Sequence, residues 1–106
     1  MTIVIRERTT GAELARGELG ADVVKYERNY YFAPTAVAAD VLRASASTSR
    51  CPMKGVSTWV DYVAPDGRVV PKVAWVYPSP NAGHELIAGR YGFYPGDRGA
   101  TRQGDD

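Results

Sequence analysis

Hydrophobic positions along this chain recur mostly at every second residue, in short runs cut by turn-forming residues. That rhythm predicts strands rather than helices. In residues 2–7 (TIVIRE), Ile3 and Ile5 fall on one face. Thr9-Thr10-Gly11 has turn chemistry, and residues 12–18 read as a second strand bracketed by Gly17 and Gly20. Residues 22–32 (DVVKYERNYYF) are dense in β-branched and aromatic side chains and read as a third strand. The clearest signal lies further on. Residues 56–64 and 69–77 flank Pro65-Asp66-Gly67-Arg68, which predicts a β-hairpin. Val69, Val73, Trp75 and Tyr77 are expected to share one face of its second strand. Pro71 lacks an N–H for the ladder and predicts an edge or a bulge. Residues 91–94 read as a last strand.

Helical signals are few. Pro34 suits a first helical turn, because its missing N–H costs nothing there, and one or two turns are expected to end near Asp40. Residues 82–88 (AGHELIA) predict two turns with Leu86 and Ile87 facing inward, stopped by Gly89. Between them, residues 41–44 read as a brief strand and residues 45–55 (SASTSRCPMKG) as a loop. From Gly96 onward nothing apolar is available to bury, so residues 96–106 are expected to be a disordered tail beyond a single β-rich domain, residues 1–95. The predicted fold class is mainly β: a compact single-domain sheet structure of at least five strands with one or two short helices.

Composition narrows the function classes. The 106 residues are 44% hydrophobic and 24% charged, ordinary values for one globular domain. Thirteen basic and twelve acidic residues leave a net charge of +1, and the basic ones are scattered, so no nucleic-acid partner is expected. No run approaches the ~20 apolar residues of a membrane helix, and residues 1–11 lack the apolar core of a signal peptide. Cys51 is the only cysteine, which rules out an intramolecular disulfide and fits a reducing cytoplasm. One Cys and one His, His84, cannot make a four-ligand zinc site, so neither metal nor other cofactor is expected. Phosphate-binding glycine loops and a Ser-His-Asp arrangement are also missing.

Candidate chemistry concentrates in Thr48-Ser49-Arg50-Cys51-Pro52-Met53-Lys54-Gly55, which crowds hydroxyls, a thiol, a guanidinium and an ammonium into one stretch. A cation beside Cys51 would lower its pKa and sharpen it as a nucleophile. Lys54, held between Pro52 and Gly55, could anchor an anion or carbonyl, or react through its amine. The alternative is a tight connection with Cys51 buried as a small hydrophobe and Lys54 solvated. The aromatic residues of the strands suit a core, and equally an apolar pocket with polar tips. Glu27, directly after Tyr26, is a candidate base or a counter-charge for Lys54.

Tyr31-Phe32, Pro34, Val37, Leu42, Ser45, Thr48, Cys51-Pro52, Lys54-Gly55, Trp59, Ala74-Trp75, Tyr77-Pro78, Ile87-Ala88-Gly89 and Phe93-Tyr94 occur in that order. Together they resemble the family called domain of unknown function 427, over roughly residues 20–95. Ala33 and Ala44 stand where that family commonly has proline, and Met53 where it commonly has an aromatic residue. The resemblance implies a β-tent-like fold, a group that includes methionine sulfoxide reductase B and Yippee-like domains. The paired CxxC zinc motifs of many β-tent proteins are missing here. The family's nucleotidyltransferase-like label implies nucleotide transfer, which requires carboxylates for Mg²⁺ and a phosphate cradle. The reading reached is a small-molecule-binding or cofactor-independent enzyme domain. Lys54, Cys51 and Glu27 would be its reactive groups, and Tyr31, Thr48, Arg50, Trp75 and Tyr77 would contact the ligand. A non-catalytic interaction module is the alternative, and a protein partner or a second copy stays open.

Overall fold

The computed structural model describes residues 1–104, which form two antiparallel sheets. The first contains β1 (Thr2–Glu7), β2 (Glu13–Glu18), β9 (Asp97–Arg98) and β10 (Thr101–Gly104), in the order β2-β1-β10-β9. The second contains β3 (Val23–Tyr26), β4 (Asn29–Phe32), β5 (Leu42–Cys51), β6 (Gly55–Val63), β7 (Val69–Val76) and β8 (Tyr91–Phe93), in the order β3-β4-β8-β7-β6-β5. The fold is mainly β. Its described helical segments are three 3₁₀ turns, Pro34–Ala36, Ala39–Val41 and Glu85–Ile87.

Alternation along the strands explains the core. Ile3 and Ile5 of β1 and Leu14 of β2 face Phe32, Val60, Tyr62, Ala74 and Phe93 of the second sheet, all buried. The opposite face of that sheet is also covered. Tyr31, Trp75, Tyr77 and Ile87 form a second buried cluster, with Tyr26, Cys51, Trp59 and Tyr94 packed on it. Tyr31 thus lies in a different cluster from its neighbours Tyr30 and Phe32, as the two-residue period of a strand requires. The segment that carries Ile87 supplies the cover; Ile87 is fully buried, but Leu86, expected to face inward, is exposed.

Several expectations need correction. Residues 22–32 are not one strand but a hairpin, β3 and β4, with Tyr26 paired to Asn29 across Glu27-Arg28. Both turn residues have positive φ, 48° and 75°, the signature of a two-residue type I′ turn. Neither is Asn or Gly, so the usual sequence signal is missing. Residues 45–51 are strand, not loop. They continue β5 along the sheet edge, where small polar residues suffice because one side is unpaired. A bulge between Ala44 and Thr48 is braced by the Ser45 hydroxyl, which donates to the Trp59 carbonyl at 2.9 Å and accepts from the Ser47 N–H. The Asp66-Gly67 hairpin forms as β6 and β7, and Pro71 lies in the irregularity opposite Asp61, next to Lys72 at φ 57°. The expected common face does not form: Val69 is exposed, Val73 packs in the first cluster, and Trp75 and Tyr77 belong to the second.

The expected tail is also overturned over the described residues 96–104; residues 105 and 106 lie outside them. β10 lies between β1 and β9, with Val4 opposite Gly104 and Glu7 opposite Thr101. Thr101 is buried. Arg8 pairs with Asp97 and donates from Nε to the Gly99 carbonyl at 2.8 Å. A polar strand can occupy this place because its stabilisation comes from the backbone ladder and from the apolar residues of β1.

The turn after β1 holds the buried carboxylate of Glu7. Its oxygens accept hydrogen bonds from the N–H and hydroxyl groups of both Thr9 and Thr10, at 2.7–2.9 Å. Burial pushes the Glu7 pKa up, but these four bonds to the charged form outweigh it and hold the group at about 2, against 4.5.

Two outcomes follow from this packing. Removing residues 97–106 strips β1 of one neighbour; at ~4–8 °C per kcal/mol for a domain this size, the melting temperature should fall by more than about 10 °C in thermal circular dichroism. For Glu7 the folded pKa is depressed, so its contribution is complete above about pH 4.5 and is lost as pH falls towards 2. Glu7→Gln, measured by urea unfolding from pH 7 to pH 2.5, should remove ~1–3 kcal/mol at neutral pH and flatten the acid limb.

Candidate functional site

The site is built around Trp75. In β7 it lies opposite Trp59 of β6 on one side and Gly92 of β8 on the other. Its indole meets Tyr31 at 6.1 Å and Trp59 at 6.0 Å edge-on, and is tilted against Tyr94 at 4.9 Å, centroid to centroid. The indole N–H donates to the Tyr31 hydroxyl at 3.1 Å. Gly92 makes this arrangement possible. A Cβ there would lie 2.4 Å from the Trp75 ring nitrogen and 2.9 Å from Tyr31. The need at Gly92 is for space; its φ is unexceptional.

Above these rings lies a pocket of about 250 Å³, lined by Tyr31, Tyr77, Trp59, Trp75 and Tyr94, with Asn29, Ser49, Ser57 and Lys54 at its polar edge. Lys54 arrives from the three-residue connection between β5 and β6. Gly55, at φ 110°, closes that connection in a conformation unfavourable to other residues. Asn81 clamps it: its N–H donates to the Lys54 carbonyl at 2.8 Å and its side-chain amide to the Met53 carbonyl at 3.2 Å. The Lys54 ammonium meets Glu27 Oε1 at 2.6 Å, and Glu27 projects from the positive-φ turn of the β3–β4 hairpin. The lysine is largely covered and the glutamate about half-exposed.

Electrostatics define what each group can do. The bond to Glu27 raises the Lys54 pKa, with burial opposing and the nearby Cys51 and Tyr77 adding to the rise. The same bond lowers the Glu27 pKa, helped by the charges of Lys54 and His84. Lys54 is therefore a protonated donor at neutral pH, suited to anchoring and poorly suited to attack as a free amine. Burial raises the pKa of both Tyr31 and Tyr77, so they remain neutral O–H donors. The Tyr31 oxygen already accepts from Trp75, and among the described residues no acceptor takes its own proton. The pocket is therefore lined by an ammonium and by phenolic protons.

The structure brings together Lys54, Glu27, Tyr31, Trp75 and Tyr77 of the residues singled out from sequence. It sets Thr48 and Arg50 apart from them, and Cys51 lies between the two groups. Cys51 packs against the aromatic cluster from the turn, and its thiol accepts from the Lys54 N–H at 3.4 Å. The backbone N–H groups of Lys54 and Met53, then the Lys54 charge, lower its pKa. Yet Cys51 lines a different cavity from Lys54, together with Arg50. Thr48 is exposed and lines neither. Sequence reasoning also passed over Ser57, Trp59 and Tyr94. The spacing of Ser57 and Trp59, two apart like Trp75 and Tyr77 on the next strand, was the signal available. His84 bonds through Nδ1 to the Tyr26 hydroxyl and stands edge-on to that ring at 5.9 Å. Among the described residues no group of three or more His, Cys, Asp or Glu side chains is placed to hold a metal ion.

No curated protein matches this sequence. A family model described as "Domain of unknown function (DUF427)" matches residues 8–104, which takes in the whole of the six-stranded sheet, the whole of the pocket and the first sheet except β1. That span covers all but the ends of the chain, and the protein belongs to the DUF427 family.

Proposed function

We propose that the protein is a small-molecule-binding domain, or a cofactor-independent enzyme built on one, and that its ligand presents a carbonyl or carboxylate oxygen to Lys54. The observation that carries this reading is the convergence of the Lys54 ammonium with Tyr31 and Tyr77 over an aromatic floor. Donors held at fixed angles in a partly desolvated pocket favour an acceptor oxygen, and more so if negative charge develops on it. The charge on Lys54 is already matched by Glu27, so a neutral carbonyl keeps the site balanced, whereas a carboxylate requires Glu27 to turn outward. Glu27 is exposed enough for that movement. Glu27 positions the lysine; its lowered pKa makes it a weak base. Positive φ at two consecutive non-glycine residues costs of order 1–3 kcal/mol each, and the Glu27–Lys54 contact is a reason to retain that turn. An interaction module would use its aromatic residues as an exposed patch. The burial of Tyr31, Trp75 and Tyr77 favours the pocket instead. A reducing cytoplasm is part of the same proposal, supported by the lone cysteine.

The test is a metabolite-library thermal-shift screen followed by titration of the hits. Lys54→Met keeps length and removes charge; it should fold normally and lose at least tenfold in affinity for hits carrying a carbonyl or carboxylate. Full affinity in a folded Lys54→Met variant would make the lysine irrelevant to the ligand and end this reading. Gly92→Ala should act from below, by forcing Trp75 off Tyr31. The expected destabilisation is ~1–3 kcal/mol, the usual range for overpacking, with loss of ligand binding and of the near-ultraviolet dichroism of the indole.

A further inference from the structure

A second cavity, of about 500 Å³, lies on the other face of the β5–β6 ribbon. Alternation separates the two linings along most of the ribbon; at its turn end Cys51 and Gly55, of the same parity as Ser49 and Ser57, line the second cavity too. Ser49 and Ser57 line the first pocket, while Arg50, Val56 and Thr58, each one residue away, line the second. Pro78 and Ser79, from the segment after β7, form the facing wall.

The chemistry of this cavity is lopsided. No carboxylate lines it. Its one formal charge is the Arg50 guanidinium, and among the described residues no ion pair, side-chain hydrogen bond or ring contact occupies that group. Arg8 is engaged by Asp97, Arg16 by Glu13, Arg90 by the Leu86 carbonyl and Arg98 by the Tyr94 ring; Arg28, Arg68 and Arg102 share the open state of Arg50, but they line neither this cavity nor the Lys54 pocket. Thr58 and Ser79 add hydroxyls, and the carbon of Val56, Pro52 and Pro78 supplies an apolar wall; Val56 is about half-exposed. The cavity is also firm on one side, because Asn81 ties the β5–β6 connection down through its backbone and side-chain donors.

We propose that this cavity is a second ligand site, separate from the Lys54 pocket, that binds a small organic carboxylate with a flat apolar body. The guanidinium fork takes the carboxylate by two parallel N–H···O bonds, the hydroxyls complete its shell, and the apolar part lies on Val56 and the prolines. The volume lies within the range of small-molecule sites.

The test uses ¹⁵N-labelled full-length protein and benzoate as the probe. Benzoate should produce saturable amide shifts at Arg50, Val56, Thr58 and Ser79, in the ~10 mM range usual for a fragment of this size. Benzamide, its uncharged counterpart, should bind at least tenfold more weakly. Arg50→Gln should weaken benzoate at least tenfold while leaving the spectrum away from the cavity and the melting temperature unchanged. Equal binding of benzamide, an unaffected Arg50→Gln variant, or no saturation at these residues would overturn the proposal. So would phenyl phosphate binding tenfold more tightly than benzoate, which would make the site one for phosphate esters. Shifts confined to Tyr31, Trp75 and Tyr77 would overturn it too, while leaving the Lys54 pocket standing.

Discussion

The organisation of the second sheet depends on the placement of one indole. Trp75 lies on β7, an interior strand of the six-stranded sheet, between a tryptophan and a glycine; it touches three rings and donates to the hydroxyl of one of them, Tyr31. Each of these contacts is modest, about 0.5–1.5 kcal/mol for an aromatic pair beyond its area. Their effect is geometric. With Trp75 fixed, Tyr31 has one orientation for its oxygen, and the floor on which Lys54 closes is rigid. The space above Gly92 is what lets the indole lie over the neighbouring strand, about 5 Å away.

Burial on both faces of a sheet is more usual for parallel strands covered by helices. Here an antiparallel sheet achieves it differently. The four-stranded sheet covers one face, and an irregular segment pinned by Ile87 and by the Tyr26–His84 bond covers part of the other. The cover is incomplete, and the uncovered part is where the polar groups collect. Lys54 and Glu27 reach it from opposite ends of the sheet, one from the β5–β6 connection and one from the β3–β4 turn. Their contact therefore ties together the two margins of the sheet, which backbone hydrogen bonds do not join.

Legibility from the sequence followed the strength of local signals. The β6–β7 hairpin was readable because Pro65-Asp66-Gly67 marks a turn between two β-rich runs. The Glu27-Arg28 turn was not, because neither residue announces positive φ and tertiary contacts hold it there. β5 was hidden by its small residues and β10 by its polarity; both are strands through pairing with a neighbour distant in sequence or through an edge position, information no local window contains. In the site, aromatic alternation pointed to Trp75 and Tyr77 together. The separation of Arg50 from Lys54 could not be seen while residues 45–55 were read as a loop, since a loop has no faces. Once Ser49 and Arg50 are neighbours on a strand, they must serve opposite sides.

The adjacency of β1 and β10 has a consequence for how the molecule comes into being. Val4 pairs with Gly104, so the first strand made waits for one of the last before its free edge is filled. The hairpins of the second sheet need no such wait, because each closes over a few residues. Closing a long loop costs entropy that its contacts repay only after it is closed. The β5–β6–β7 ribbon can therefore assemble early and locally, but completing the sheet that bears the pocket takes a long closure of its own, Tyr30 of β4 against Phe93 of β8. Both sheets are thus finished by strands from the last part of the chain, β8 for one and β10 for the other.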